Sequence, residues 1–388
     1  MPPPIYFLSY SRENIGDVRE IAKTLMIHGI EVWQDVANLG TGLAESEIRK
    51  AISVGSDGFL FFITPQSVNS AFIQTVELPE AETKYKLGSG FQIVPIFGLP
   101  IDEATAALKG YLTVPISNFN GAKVLGRGES QDVLTAAQRA AEIILEGLRI
   151  PEGDPLSIGL SSKQKTTANV TLHLDFTKHF ENGLPPEKAW AAEFAGALNR
   201  VKGTLVRRKR LSLKLHAFCH LSLGFLFGYV FRKTTGCKLA IEQLTNGVPT
   251  IWATDAKREA NPLRVTELPG VLGSRDLCVK INLMSADDRS VTRYTEAHSM
   301  SYRAVLELSP THYPCTITGS EAASIASDLA DKIKEAHARY DTTRVHLFTA
   351  IPLGLSVLIG HNLNASGTIQ CYEFDNAKRE YFASCLLN

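Results

Sequence analysis

Apolar and polar positions over the first 150 residues alternate between two regimes. Short β-rich runs, IYFLSY (5–10), GIEVW (29–33), GFLFFIT (58–64) and FQIVPIF (91–97), are separated by stretches with helical spacing, as at Ile15, Val18, Ala22 and Leu25. This pattern predicts parallel strands joined by crossover helices. Gly29 stands where the end of the first helix needs a residue tolerant of positive φ. A last amphipathic helix over about 130–148 closes the region, and the turn-rich PEGDPLSIGLSSKQKTT (151–167) reads as a linker. The expected organisation is a domain over 1–150, a linker over 151–167 and a second domain over 168–388.

The second half resumes with NVTLHLDF (169–176), a helix near Pro186–Val201 and the strand LSLKLHAF (211–218). LHAFCHLSLGFLFGY (215–229) then reads against VHLFTAIPLGLSVLIGH (345–361), with His, Phe and Leu-Gly coinciding at a fixed offset before each copy becomes an apolar helix. Each copy next enters a strand, CKLAIEQ (237–243) and TIQCYEF (368–374). Two related βαβ lobes in pseudo-twofold arrangement are expected, their strand-to-helix turns side by side. The apolar stretch 215–231 is short for a bilayer and carries His216, His220 and Ser222, so it reads as a buried strand and helix, with membrane insertion as the alternative.

Charge and cysteine usage narrow the function classes. With 40 basic and 40 acidic residues in 388, the chain is not built to coat DNA or an anionic membrane by charge alone, so a nucleotide ligand needs a local pocket. The six cysteines are widely spaced in the second half without a CxxC pair, which fits neither a zinc site nor a disulfide framework; no metal is expected. The start, MPPPIYFLSYSR, has no signal-peptide pattern, and a cytoplasmic protein is expected. No GxGxxG, P-loop, HExxH or Gly-x-Ser-x-Gly signature is present, which lowers the prospects for a dehydrogenase, NTPase, zinc protease or serine hydrolase.

Several segments of residues 5–85 together resemble the TIR family. These are FLSYSR (7–12), VWQD (32–35), NLGTGLAESEIRKAI (38–52), ITPQSVNS (63–70) and VEL (76–78). The resemblance implies a flavodoxin-like α/β domain with a parallel sheet. Some TIR domains only pair with other TIR domains, whereas others hydrolyse NAD; the distinguishing residue is a Glu after the third strand, here Glu77. A carboxylate beside the nicotinamide ribose can hold its hydroxyls and stabilise the oxocarbenium-like charge that grows as nicotinamide departs. The alternative is a solvated acid in a helix that also carries Glu80 and Glu82. The family usually places an aromatic four residues before this Glu; here that position is Ile73 and the aromatic is Phe72. Tyr10, Ser11 and Arg12 are expected at the carboxyl end of the first strand, where ligands of open α/β sheets collect. Trp33, Asp35, Leu39 and Gly40 complete the dinucleotide candidates, with Trp33 favoured as core and the glycine-rich loop 38–42 as a gate or a passive turn.

The second half resembles the SAVED family of bacterial defence proteins, which look like two fused CARF-type, Rossmann-like lobes. It does so through LHAFCHLSLGFLFG, HLFTAIPLGLSVLIG and CYEFDNAKREY (371–381). The resemblance implies a sensor for a cyclic oligonucleotide made by a partner synthase, as in CBASS antiviral defence, with cyclic tri-adenylate the favoured activator. Candidate contacts are Cys219, His220, Leu221 and Ser222 in one lobe and Thr349, Ala350, Ile351 and Pro352 in the other, where helix N-termini favour phosphate. Trp252 is a base-stacking or core residue. Together the two resemblances imply an NAD glycohydrolase with NAD as substrate and no cofactor, activated by ligand-driven assembly into an oligomer or filament. A non-catalytic TIR adaptor and a preformed dimer with a loop switch are the alternatives.

Overall fold

A computed structural model of the chain describes residues 2–34, 45–88, 90–124, 130–150, 152–153, 155–257, 259–260, 263–284, 289–310, 315–364 and 366–388. The chain divides into two compact units, Met1–Glu152 with Asn169–Phe176, and Gly153–Ala168 with Thr177–Asn388.

In the first unit, β1 (Ile5–Ser9), β2 (Glu31–Trp33), β3 (Gly58–Ile63), β4 (Gln92–Phe97) and the short β5 (Ala122–Lys123) form a sheet in the order β2-β1-β3-β4-β5. Every pairing is parallel, with Phe7 opposite both Trp33 and Phe59 and Ser9 opposite Phe61. This is the flavodoxin-like order, in which ligands collect beyond the carboxyl ends of the strands near β1 and β3. The run GFLFFI is apolar throughout because β3, in the centre of the sheet, is buried on both faces. Gly29 follows the helix Ile15–Ile27 with φ of 85°, the conformation its position called for.

One expectation about the domain boundary is corrected. Residues 156–161, placed in the linker, form a buried strand, β6 (Leu156–Ser161), of the second unit. Within residues 169–176, expected at the start of the second domain, β7 (Leu172–Asp175) is the edge strand of the five-stranded sheet that contains β6.

The second unit is built from two lobes. In the first, β6, β8 (Ser212–Phe218) and β9 (Lys238–Thr245) run parallel, and β10 (Val248–Ala253) is antiparallel to β9. The second repeats this plan with β12 (Asp276–Asn282), β14 (Arg344–Ala350), β15 (Thr368–Asp375) and an antiparallel β16 (Glu380–Leu387). Past β12 its sheet continues with β13 (Ala304–Pro310) and β11 (Leu263–Pro269), giving the order β11-β13-β12-β14-β15-β16.

Helix Leu221–Val230 joins β8 to β9, and helix Leu353–Asn362 joins β14 to β15. They pack on each other through glycine. A β-carbon added at Gly228 would lie 2.1 Å from the Val357 carbonyl oxygen, and one added at Gly360 would lie 2.3 Å from the Phe225 carbonyl oxygen. These two contacts exchange when every residue is shifted by 132 positions, as do the starts of β8 and β14, Ser212 and Arg344. The lobes are thus related by a pseudo-twofold axis through this helix pair. The sequence similarity over His, Phe and Leu-Gly has an offset of 130, two residues out of structural register. The helices are apolar all round because the second unit surrounds them. Among the described residues no helix is long and apolar enough to cross a membrane.

Candidate functional site

Glu77 ends a π-helical turn, Ile73–Glu77, closed by the Leu78 N–H donating to the Ile73 carbonyl. Its side chain is only 8% exposed, and the Ser9 hydroxyl at the carboxyl end of β1 donates to Glu77 Oε2 at 2.5 Å. A buried carboxyl group is costly unless hydrogen-bonded, so this contact holds its position. The neighbouring acids have different work. Glu80 pairs with Arg49 at 3.2 Å on the flank of helix Glu45–Ser53. Glu82 accepts from the Thr113 and Val114 amides and the Thr113 hydroxyl at 2.7–2.9 Å, pinning the 113–114 loop. Burial pushes the Glu82 carboxyl up, but the bonds from Val114, Thr113 and Lys86 outweigh it and hold the pKa below the usual range. Of the three acids, Glu77 alone is anchored at the ligand-collecting edge of the sheet.

The π-turn also accounts for the displaced aromatic. An α-helix returns to the same face after about four residues, whereas a turn with i→i+5 closure needs about five. Phe72, five before Glu77, therefore takes the place expected four before it. Phe72 is 41% exposed, and Ile73 is buried in the core. Tyr10 and Ser11 are half-buried after β1, and Arg12 is exposed at the start of a 3-10 turn, Arg12–Asn14. Asn14 accepts from the Thr64 hydroxyl at 2.8 Å, tying the ends of β1 and β3 together. Trp33 stacks on Phe7 with centroids 4.8 Å apart and packs against the core cluster, the role favoured for it. Asp35, Leu39 and Gly40 lie outside the described residues. Ser9 was not singled out by the sequence, although strand alternation places it on the face of Phe7 rather than that of Tyr10.

In the second unit the structure revises several ligand candidates. Trp252 is 2% exposed and wedged beside two helix starts: a β-carbon on Gly319 or Gly354 would sit 3.0 Å from its ring. It is a core residue, not a base-stacking platform. Cys219 and Ile351 are buried, and burial pushes the Cys219 thiol up. Ser222 is fully buried at the N-terminus of helix Leu221–Val230, and that end is already occupied by the protein's own carboxylate. Glu373 Oε2 accepts from the Ser222 amide at 2.9 Å and hydroxyl at 2.8 Å, and Oε1 accepts from the Leu221 amide at 3.4 Å. Burial raises the Glu373 pKa against these bonds.

His220, the N-cap, is half-buried. Its amide donates to Ser162 Oγ at 2.9 Å, so the Ser162 hydroxyl hydrogen is left for Nδ1 at 2.8 Å. Phe180 stacks on the ring at 4.4 Å. Burial, then the positive charge of Lys163, lowers the His220 pKa to about 4, and the ring is neutral near pH 7. In the other lobe, Ala350 and Pro352 are half-buried, and Thr349 is 3% exposed with a hydroxyl that has no partner among the described residues.

Residues 7–121 match the model of the TIR domain, and residues 196–387 match that of the "SMODS-associated and fused to various effectors sensor domain", SAVED. CD-NTase-associated protein 4 of Enterobacter hormaechei subsp. hoffmannii is 22% identical over 175 residues, 44% of this chain and 35% of that protein. The match thus spans about a third of that curated relative's length. The structure of an Acinetobacter baumannii Cap4 SAVED/CARF-domain containing receptor with the cyclic trinucleotide 3'3'3'-cAAA is similar in fold. Its TM-score is 0.52 at 14% identity, over 99% of this chain and 88% of that one.

Proposed function

From a chain that joins an N-terminal TIR domain to a C-terminal SAVED sensor domain, we propose a cyclic-oligonucleotide-activated NAD glycohydrolase of CBASS-type defence. The observation that carries the catalytic half is Glu77, a buried carboxylate held by Ser9 at the carboxyl end of β1. The nicotinamide ribose would lie against Glu77, its hydroxyls donating to the carboxylate. As the C1'–N bond breaks, the electron pair leaves with the nicotinamide nitrogen, which becomes neutral and needs no proton. The positive charge moves to the ribose ring, where Glu77 stabilises it. Water then bonds to C1' and releases a proton, giving ADP-ribose. Phe72, exposed one π-turn before Glu77, offers a ring against which the nicotinamide can stack.

The sensing half is supported by the two-lobed SAVED unit and by the cyclic trinucleotide bound in the Acinetobacter receptor. A cyclic oligoadenylate, with cyclic tri-adenylate first in line, would bind this unit and favour a state in which TIR domains of neighbouring copies meet productively. The test is NAD consumption by the purified chain with and without cyclic oligoadenylates, for wild type and Glu77→Gln. Ligand-dependent cleavage lost in the variant supports the reading. Ligand binding with no NAD loss under any condition replaces it with a TIR adaptor.

A further inference from the structure

The pseudo-twofold axis of the second unit relates two caps that are not chemically alike. Gln243 on β9 and Glu373 on β15 hold the same place, each five residues after the start of its strand. Each reaches across to the other lobe's central helix and accepts from the amide of that helix's second residue. Glu373 bonds Ser222 N–H at 2.9 Å, and Gln243 Oε1 bonds Gly354 N–H at 2.8 Å. The carboxylate uses both oxygens and also takes the Leu221 amide. The carboxamide has one oxygen, its nitrogen donates to the Leu244 carbonyl at 3.1 Å, and the Leu353 amide is left without a protein acceptor among the described residues.

A helix N-terminus carries about half a positive charge, and an anion bridging its first amides satisfies both that charge and the unpaired donors. Glu373 does this inside the first lobe. The second lobe has the same backbone arrangement without the anion.

A second observation marks the same place. His346 and Phe348 face the aromatic cluster with Tyr294 and Tyr372, so Thr349 faces the opposite side of β14. Right-handed crossovers put helix Leu353–Asn362 on that side, because β12 to β13 and β14 to β15 step in opposite directions. Thr349 thus brings its unpartnered, buried hydroxyl to the carboxyl end of β14, three residues before the Pro352 cap. An unmade bond of this kind is costly and marks a group kept for a partner.

Resting on the reading of this unit as a cyclic-oligonucleotide sensor, we propose that one phosphate of the ligand seats at the N-terminus of helix Leu353–Asn362, bonded by the Leu353 amide and the Thr349 hydroxyl. Glu373 closes the equivalent seat in the first lobe. The ligand is therefore held in one orientation, and the neutrality of Gln243 is what admits its charge.

The experiment is calorimetric titration of the full chain with 3'3'3'-cyclic tri-adenylate, for wild type, Gln243→Glu and Thr349→Val. Gln243→Glu keeps the shape and adds the carboxylate that the first lobe already has, so it should weaken binding by about tenfold or more. Thr349→Val removes a hydroxyl that has no protein partner, so it should weaken binding about threefold to tenfold without lowering the melting temperature of the free protein. Wild-type binding together with undiminished affinity in both variants overturns the phosphate assignment and leaves the sensor reading intact. A wild-type chain that binds no cyclic oligoadenylate overturns both.

Discussion

Replacing Gly228 by alanine perturbs the contact on which the two lobes are joined. The new β-carbon would lie 2.1 Å from the Val357 carbonyl oxygen and 2.8 Å from the His361 amide nitrogen, and both are backbone atoms of the facing helix. Neither can swing away as a side chain would, so the helices must part by nearly 1 Å over an interface that is close-packed on both sides. Overpacking of this kind costs about 3 kcal/mol, against which better helix propensity returns only about 0.5–1 kcal/mol. For a unit of this size each kcal/mol is about 2–4 °C, so the melting temperature should fall by about 5–10 °C. Gly203→Ala is the control. It lies in helix Gly196–Arg207 of the same unit, and its added β-carbon meets only the Arg207 guanidinium at 3.5 Å, so it should melt at or slightly above wild type. Tryptophan fluorescence is a suitable readout, since Trp190 and Trp252 are both buried in the second unit. A Gly228→Ala protein that melts within about 2 °C of wild type would refute the close helix crossing and the pseudo-twofold axis drawn through it.

Acid should weaken the second unit through His220. Its folded pKa of about 4 lies below the unfolded value near 6.5, so its contribution is complete above pH 6.5 and is lost as pH falls from 6.5 towards 4. Because the ring is partly exposed, the loss between pH 7 and pH 5 should be no more than about 1–2 kcal/mol; urea melts should show it in wild type and not in His220→Gln. Ser9→Ala should lower kcat for NAD cleavage about tenfold with little change in KM, because it loosens the carboxylate rather than the substrate. An unchanged kcat would leave Ser9 as packing only.

The first unit was legible in outline because its central strands are buried on both faces and announce themselves as apolar runs, β3 most clearly. The apolar stretch over 215–231 was legible as a buried strand and helix because it is short for a bilayer and carries His216, His220 and Ser222. The repeat was found in the wrong register. A two-residue slip keeps every strand side chain on its own face, so the His and Phe coincidences at offset 130 fit the pattern as well as the structural offset of 132 does. Residues 156–161 were hidden because Ser157, Gly159, Ser161 and Ser162 make a buried strand look like a turn-rich linker.

Site residues were visible where a local motif carries them and invisible where the fold does. Glu77 follows from a motif, but the π-turn that restores Phe72 to its face depends on a hydrogen-bond shift that no spacing rule gives. Glu373 caps a helix that begins 152 positions earlier in the chain, and only the fold brings them together. Treating both central helix N-termini as open to phosphate failed for that reason at Leu221 and Ser222.

The most direct measurement of the central claim is NAD turnover by the full chain, with and without 3'3'3'-cyclic tri-adenylate, in wild type and Glu77→Gln. The expected result is release of nicotinamide that depends on the ligand and falls about a hundredfold or more in the variant. Cleavage that persists in Glu77→Gln, or ligand binding without any cleavage by wild type, would contradict it.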